Sequence, residues 1–141
     1  MTDVKGTYAA VWPDYPSQAR LESYFKKHVN GLVDDFHITT TYSRVILPNL
    51  KNRTVVITVR PATFRYEMFG PNNEYLVLAM SHPTLTALWK EAMQLGATWD
   101  HREYAPHVTL SSTFKGKISD LPPLPQFKLR FDRYKVEELK D

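Results

Sequence analysis

The sequence predicts an α+β fold built from two similar halves, and two observations lead to this prediction. Strand-like and helix-like segments alternate so that each half has a helix followed by an apolar strand, and a further strand-like region closes the chain. A His-x-Thr pattern begins at His37 in the first of these strands and returns at His107 in the second. We therefore expect a pseudo-twofold arrangement with a cleft between the halves.

The first half reads as strand, helix and strand. Residues 6–12 are apolar and β-prone, and two prolines end this run. The next segment predicts a helix with Ser17 as its N-cap and an apolar stripe that continues until Gly31. Residues 35–43 then form the strand that carries His37.

The middle of the chain predicts a β-hairpin. Residues 54–59 and 63–69 are strand-like, with Pro61 at a bend or a sheet edge. Residues 70–73, Gly-Pro-Asn-Asn, are typical of a turn, and they join the second of these strands to residues 74–80.

The second half repeats the order of helix and strand. A helix is predicted at 83–95, with Ser81 or His82 as its N-cap. The strand with His107 follows, and after a proline-rich connection residues 126–139 form a long final strand.

Composition predicts one soluble domain that spans residues 1–141. The chain is 43% hydrophobic, has no cysteine, and contains no apolar run long enough to span a membrane. Its first residues lack the apolar core of a secretory signal. We therefore expect a cytoplasmic protein without disulfides, without cysteine ligands for zinc and without membrane contact.

Positive charge is concentrated in the middle of the chain. The formal net charge is +3, and five basic residues but no acidic one lie between positions 44 and 66. They are Arg44, Lys51, Arg53, Arg60 and Arg65. Such a segment predicts a surface that attracts an anionic ligand, and solvated surface residues are the alternative. Arg44 is also a candidate phosphate contact.

The two His-x-Thr motifs carry the chemistry. Side chains alternate along a strand, so His37 and Thr39 share one face, and so do His107 and Thr109. If both strands line one cleft, two imidazoles that titrate near neutral pH can flank a phosphate, and one accepts a proton while the other donates one. This arrangement predicts cleavage of a phosphodiester without a metal. The alternative is two ordinary strand histidines.

The context of the motifs favours the catalytic interpretation. Both have an apolar middle residue, and each is followed by another hydroxyl that strand alternation places on the same face, at Thr41 and at Ser111. The remaining histidines, His28, His82 and His101, are expected to be structural or exposed.

On these motifs the chain resembles the two-histidine (2H) phosphoesterases of the LigT-like type. The separation of the motifs and the segments 6–10 (GTYAA) and 36–43 (FHITTTYS) are most similar to the short phage members that counter CBASS defence. The resemblance implies a bilobal α+β fold with antiparallel sheets in two pseudo-symmetric lobes, helices outside and a central cleft. It implies no metal and no other cofactor.

The resemblance also implies an activity. Proteins of this kind cleave 3′-5′ phosphodiester bonds of cyclic di- and trinucleotide messengers, such as 3′,3′-cGAMP, through a 2′,3′-cyclic phosphate. His37 and His107 would be the acid and the base, in an order that the sequence leaves open, and Thr39 and Thr109 would bind the phosphate oxygens. Neither a DNA duplex nor a membrane is an expected partner, and the oligomeric state is open. For a phage protein, the location is the cytoplasm of the host bacterium.

Three further positions are implied as substrate contacts. Tyr8 and Phe69, or Tyr66 in place of Phe69, would hold a base between two rings. Glu137, or its neighbour Glu138, would bind the amino group of an adenine. For both aromatic positions, packing in the core is the alternative.

Other functions remain open at the level of the sequence. A related enzyme would act on RNA 2′,3′-cyclic phosphates or on 2′-5′ oligoadenylate. A nucleotide sponge would bind the messenger without cleaving it. A structural phage protein would have no ligand.

Overall fold

The computed structural model describes residues 4–140. Its helices and strands are, in chain order, β1 (Val4–Pro13), α1 (Tyr15–Phe25), β2 (Ile38–Ser43), β3 (Ile57–Val59), β4 (Arg65–Phe69), β5 (Tyr75–Ala79), α2 (Pro83–Gln94), β6 (His107–Ser111) and β7 (Leu129–Lys140). Short 3-10 turns lie at Pro61–Thr63 and Ile118–Asp120. The order of elements matches the prediction, and the α+β fold class is confirmed.

The strands form a seven-stranded antiparallel sheet in the order β3-β7-β1-β2-β6-β5-β4. The unit β1-α1-β2 in one half corresponds to β5-α2-β6 in the other, as the repeated pattern predicts. The strands of the two lobes do not form separate sheets, because β2 and β6 pair with each other at Ile38 and Val108. The two histidine strands therefore lie side by side at the centre.

The hydrophobic core lies between the helices and one face of the sheet. Leu21 and Phe25 of α1 and Leu85 of α2 are fully buried in the same cluster as Ile38 and Val108. The opposite face of the sheet carries the alternate residues. Within residues 4–140, neither helix has the length and apolar character needed to cross a membrane.

Helix α1 begins and ends earlier than the sequence predicts. Its N-cap is Asp14, whose Oδ1 accepts a hydrogen bond of 2.9 Å from the Ser17 backbone N–H. Ser17 is not the cap because it lies inside the first turn, where its buried hydroxyl accepts from the backbone N–H of Arg130 at 2.8 Å. The helix ends at Phe25 rather than near Gly31.

The predicted turn and the cap of the second helix are confirmed. The His82 side chain is the N-cap of α2, and its Nδ1 accepts from the Thr84 backbone N–H at 3.1 Å. In the turn between β4 and β5, Gly70 and Asn73 have φ values of 95° and 53°. Glycine and asparagine adopt such conformations most readily. His82 thus has a structural role.

Strand β2 contains a β-bulge directly after its His-x-Thr motif. Thr39 and Thr41 pair with consecutive residues of β1, so Thr40 is an extra residue without an opposite partner. Thr40 and Thr41 both point towards the core, where they are 0% and 2% exposed. The prediction that Thr41 continues the row of hydroxyls on the face of Thr39 is therefore wrong. Tyr42 takes that face instead.

Strand β6 contains the equivalent bulge. Thr109 and Ser111 pair with consecutive residues of β5, which leaves Leu110 as the extra residue. Ser111 is fully buried, and its hydroxyl donates to the carbonyl of Asn30 at 2.8 Å. The predicted second hydroxyl on the cleft face is wrong here for the same reason, and Ser111 instead anchors the loop that follows α1.

Gly6 allows β1 and β2 to approach each other beyond the bulge. A Cβ atom at this position would overlap the backbone carbonyl of Ser43. Because that carbonyl belongs to the sheet, it has little freedom to move away.

We expect Gly6→Ala to lower the free energy of unfolding by about 1–3 kcal/mol, the usual cost of overpacking a buried position. Urea unfolding followed by circular dichroism measures this change. The matched control is Glu138→Ala at an exposed position of β7, which should stay within about 0.5 kcal/mol of the wild type. Equal stability of the two variants would contradict the close approach of the strands.

Candidate active site

The pairing of Ile38 with Val108 determines where the two histidines lie. Both side chains are 0% exposed on the core side, so the residues before and after them face the open side of the sheet. In antiparallel register, His37 and His107 are then diagonal neighbours. The Cα atoms of such neighbours are roughly 7–8 Å apart, so the two histidines lie close to each other on this face.

A cavity of about 900 Å³ opens on this face. Thr39, His107 and Thr109 line it. His37 does not line it, but its ring contacts Tyr8, whose hydroxyl lies 3.0 Å from Thr39 Oγ1. The structure thus brings three of the four motif residues to one cavity and leaves His37 outside its lining.

The two imidazoles are held by the same local contact. His37 Nδ1 is 3.1 Å from the carbonyl oxygen of Asp35, and His107 Nδ1 is 2.7 Å from that of Ala105, in each case two residues earlier in the chain. A carbonyl only accepts hydrogen bonds, so Nδ1 must carry the proton. Each neutral ring therefore keeps a free lone pair on Nε2 for an incoming proton.

The surroundings of His107 favour the neutral ring. Phe69 packs against it in a T-shaped arrangement, with 4.8 Å between ring centroids. Burial lowers the pKa of His107 below its usual value, although the Ala105 carbonyl opposes this effect. The nearby His37 lowers it further. At neutral pH, His107 is thus ready to accept a proton.

The surroundings of His37 differ in charge and in exposure. Its side chain is 31% exposed, and its Nδ1 lies 3.7 Å from a carboxylate oxygen of Asp35. The ring stacks on Trp12 with 5.5 Å between centroids, and Trp12 Nε1 donates to Asp35 at 2.9 Å. A protonated His37 would therefore face a carboxylate. Trp12 was missed by the sequence analysis, although strand alternation places it on the same face as Tyr8.

Tyr8 lies beside Thr39 and His37 and not in the hydrophobic core. Its hydroxyl lies 3.0 Å from Thr39 Oγ1, and its ring meets His37 edge to face at 6.3 Å. Burial raises the pKa of Tyr8, so the phenol stays protonated at neutral pH. When Thr39 donates its own proton to a ligand, the Tyr8 hydroxyl can donate to Thr39 in turn.

The sheet register distinguishes between the two candidate glutamates. Glu137 is the cross-strand partner of Tyr8, whereas Glu138 is the partner of Thr7, which points to the core side. Directly opposite residues share a face of the sheet. The side chain on the cleft face is thus that of Glu137, which is exposed. It lies next to Tyr8 but does not line the cavity.

The hairpin contributes Phe69 and not Tyr66. Phe69 lines the cavity and contacts His107. Tyr66 points to the opposite face, where its hydroxyl donates to the carbonyl of Pro122 at 3.0 Å and its ring packs against Phe25. The alternative position for a base contact is therefore a packing residue.

Much of the lining of the cavity was missed by the sequence analysis. It includes Trp99, Asp100, His101, Glu103 and Tyr104, together with Tyr42 and Tyr75. His101 is exposed, as predicted, and it also lines the cavity. The available signal was that two aromatic residues flank this polar run just before the second motif.

Ion pairs involve most of the arginines in the segment that was predicted to attract an anion. Three of its arginines are paired with acids: Arg44 with Asp100, Arg53 with Glu91 and Arg65 with Glu67. Arg60 lines a different cavity, of about 720 Å³, together with Arg20 and Lys128. Folding thus disperses the basic run. Arg44 lines the main cavity, but it does so as one half of an ion pair of 2.8 Å.

Comparisons with known proteins agree with this architecture. A family model described as "Anti-CBASS protein Acb1" matches residues 5–141. A curated relative of that name, from Vibrio phage KVP40, is 33% identical over 112 residues, which covers 76% of this chain and 72% of the relative.

Solved structures resemble the fold at low sequence identity. A crystal structure titled as a phosphoesterase has a TM-score of 0.64 at 12% identity. The superposition covers 95% of this chain and 87% of the phosphoesterase chain. LigT of E. coli complexed with 3′-AMP has a TM-score of 0.63 at 11% identity, with coverage of 99% and 94%. The LigT-like fold is thereby confirmed, and so is the resemblance to the phage anti-CBASS proteins.

We expect His107 to titrate below about 6.5, the ordinary value for an imidazole, because burial lowers its pKa. An NMR titration of the histidine ring protons measures this midpoint, and His107→Gln identifies the signal by removing it. A midpoint at or above 6.5 would contradict the buried environment.

The same shift predicts how stability depends on pH. The unfolded chain binds a proton at this histidine more readily than the folded chain does, so His107 makes the free energy of unfolding fall as the pH decreases through about 6.5. His107→Gln should show a smaller fall over this interval in urea unfolding. Parallel curves for the two proteins would contradict the prediction.

Proposed function

This chain belongs to the Acb1 family of anti-CBASS proteins, and we propose that it is a metal-independent phosphodiesterase that cleaves cyclic di- and trinucleotide messengers. Its site of action would be the cytoplasm of a host bacterium. One observation supports this proposal: two imidazoles, each with Nδ1 held by a backbone carbonyl, lie at the starts of two paired strands, and that of His107 lines the cavity.

In the first step, we assign His107 as the base and His37 as the acid. His107 Nε2 takes the proton from a ribose 2′-hydroxyl, and the oxygen attacks the adjacent phosphorus. The bond from phosphorus to the 5′-oxygen breaks, and protonated His37 gives its Nε2 proton to that oxygen. The product end is a 2′,3′-cyclic phosphate. The buried, neutral His107 and the carboxylate beside His37 support this order.

The threonine hydroxyls would stabilise the charge that develops on the phosphate. Thr39 and Thr109 lie beside the imidazoles and can donate hydrogen bonds to the two non-bridging oxygens, whose negative charge rises in the transition state. Tyr8 would orient Thr39 through the bond between their hydroxyls.

In the second step, the roles of the imidazoles reverse. His37 removes a proton from water, the water oxygen attacks the cyclic phosphate, and His107 protonates the departing 2′-oxygen. A terminal 3′-phosphate remains. The LigT structure that contains 3′-AMP supports this step, because it shows a related fold holding a nucleotide of this kind.

The base contacts complete the proposed substrate site. Tyr8 and Phe69 lie against His37 and His107, respectively, so a base next to the scissile phosphate would meet both rings. Stacking on aromatic rings tolerates different bases. Glu137, opposite Tyr8, is positioned to accept from an exocyclic amino group.

Mass spectrometry of the products tests the proposed function. The protein is incubated with 3′,3′-cGAMP, cyclic di-AMP, a cyclic triadenylate and a 2′-5′ oligoadenylate. Linear products that end in a 2′,3′-cyclic phosphate or a 3′-phosphate support the proposal. Cleavage of the 2′-5′ substrate alone would indicate the RNA-processing alternative, and recovery of intact ligand from a heat-denatured complex would indicate a sponge.

Replacement of either active-site histidine should abolish turnover in practice. We expect His37→Ala and His107→Ala to lower kcat by roughly 10²- to 10⁴-fold each, because each removes one proton-transfer group. The control is His28→Ala, which removes an exposed histidine after α1 and should leave kcat unchanged. Retention of more than a tenth of the rate by either His37→Ala or His107→Ala would contradict these roles.

Turnover by the wild type should persist in EDTA, because the proposed mechanism uses no metal ion.

The pH profile of kcat/KM should be bell-shaped. The value of kcat/KM should rise as His107 loses its proton, with a midpoint below about 6.5 because the pKa of His107 is lowered. It should fall at higher pH as the proton donor becomes neutral. The midpoint of the acid limb should agree with the value for His107 from NMR. A flat profile from pH 5 to 9 would argue against paired acid and base roles.

A further inference from the structure

Tyr42 reaches the cleft because of the bulge in β2. With an uninterrupted register, Thr41 would lie opposite Tyr8. The extra residue Thr40 shifts the strand by one position, so that Tyr42 pairs with Tyr8 and shares its face. Bulges change the direction of a side chain in this way next to functional sites.

Tyr42 is exposed on the cleft face of its strand. Its neighbours Thr41 and Ser43 are 2% and 0% exposed, whereas Tyr42 itself is 43% exposed. Tyr75, on the facing lobe, is 40% exposed, and both rings line the same cavity. Aromatic rings are usually buried, so two exposed rings on the walls of one cavity indicate a ligand surface.

The second lobe has no counterpart to Tyr42. The equivalent position, directly after the bulge in β6, is Ser112, which is exposed. The fold therefore forms this bulge with a small polar residue in one lobe and a large aromatic one in the other. The ring of Tyr42 is not needed to build the bulge.

Tyr42 is oriented differently from the ring beside it. The centroids of Tyr8 and Tyr42 are 6.2 Å apart, and the ring planes meet at 84°. A base stacked on Tyr8 could therefore not stack on Tyr42 as well. The cavity, at about 900 Å³, is near the upper end of the range for small-ligand sites, roughly 300–1,000 Å³, and has room for a second nucleotide.

From this geometry, and resting on the proposed function, we propose that Tyr42 is a stacking platform for the second base of a two-base substrate. That base is the one remote from Tyr8 and Phe69. Because stacking requires only a π face, the platform accepts either purine.

Equilibrium binding in the His107→Ala background tests this platform without turnover. The probes are 3′,3′-cGAMP, which has two bases, and 3′-AMP, which has one. Adding Tyr42→Ala should raise the Kd for 3′,3′-cGAMP by roughly 5- to 100-fold and leave the Kd for 3′-AMP unchanged. Adding Tyr42→Phe, which keeps the ring, should preserve both values.

A matched control separates stacking from a general loss of structure. Tyr15→Ala removes another exposed tyrosine, 85% exposed at the start of α1 and away from the cavity, and should change neither Kd. Thermal unfolding of each variant shows that it is folded. The inference is overturned if Tyr42→Ala weakens both probes equally, weakens neither, or has an effect that Tyr42→Phe reproduces.

Failure of the Tyr42 platform can be distinguished from failure of the proposed catalysis. If the protein with both histidines intact does not cleave 3′,3′-cGAMP, the proposed catalysis is wrong, while the ratio of the two Kd values still decides the role of Tyr42. If cleavage occurs and the ratio does not change, only the platform is wrong. Absence of any binding of 3′,3′-cGAMP overturns the platform directly.

Discussion

The site depends on one antiparallel contact, between Ile38 of β2 and Val108 of β6. Both side chains are completely buried under the helices, and this burial fixes the register at the junction of the two lobes. A slip of one residue would turn His37 or His107 into the core. The hydrophobic effect at two apolar positions therefore places two polar rings on the same open face.

The two lobes repeat the same local structure and then differ in charge and burial. Each histidine is tied to the carbonyl two residues before it, and each motif ends in a bulge. His107 is enclosed beside Phe69, whereas His37 is partly exposed beside Asp35. Internal symmetry thus supplies two equivalent imidazoles, and their surroundings differ in burial and in the charge of their neighbours.

The sequence was sufficient where one physical rule acts alone. Strand alternation predicted that His37 and Thr39 share a face, and the turn residues predicted the position of the hairpin. Prediction from the sequence failed where tertiary contacts decide between local alternatives. Nothing in Thr40 or Leu110 marks a bulge, because the extra residue is set by pairing with another strand. Likewise, the acids that pair with the basic segment come from distant parts of the chain, such as Asp100.

The convergence of the two imidazoles on one phosphorus is the central claim, and a crystal structure with a 2′-O-methyl analogue of 3′,3′-cGAMP tests it most directly, because this analogue keeps the 2′-oxygen but cannot use it as a nucleophile. The account predicts that the Nε2 atoms of His37 and His107 lie within hydrogen-bond distance, about 3 Å, of oxygens on opposite sides of the same phosphorus. A phosphate that contacts only one of the two rings, or that is bound outside the cleft, would contradict it.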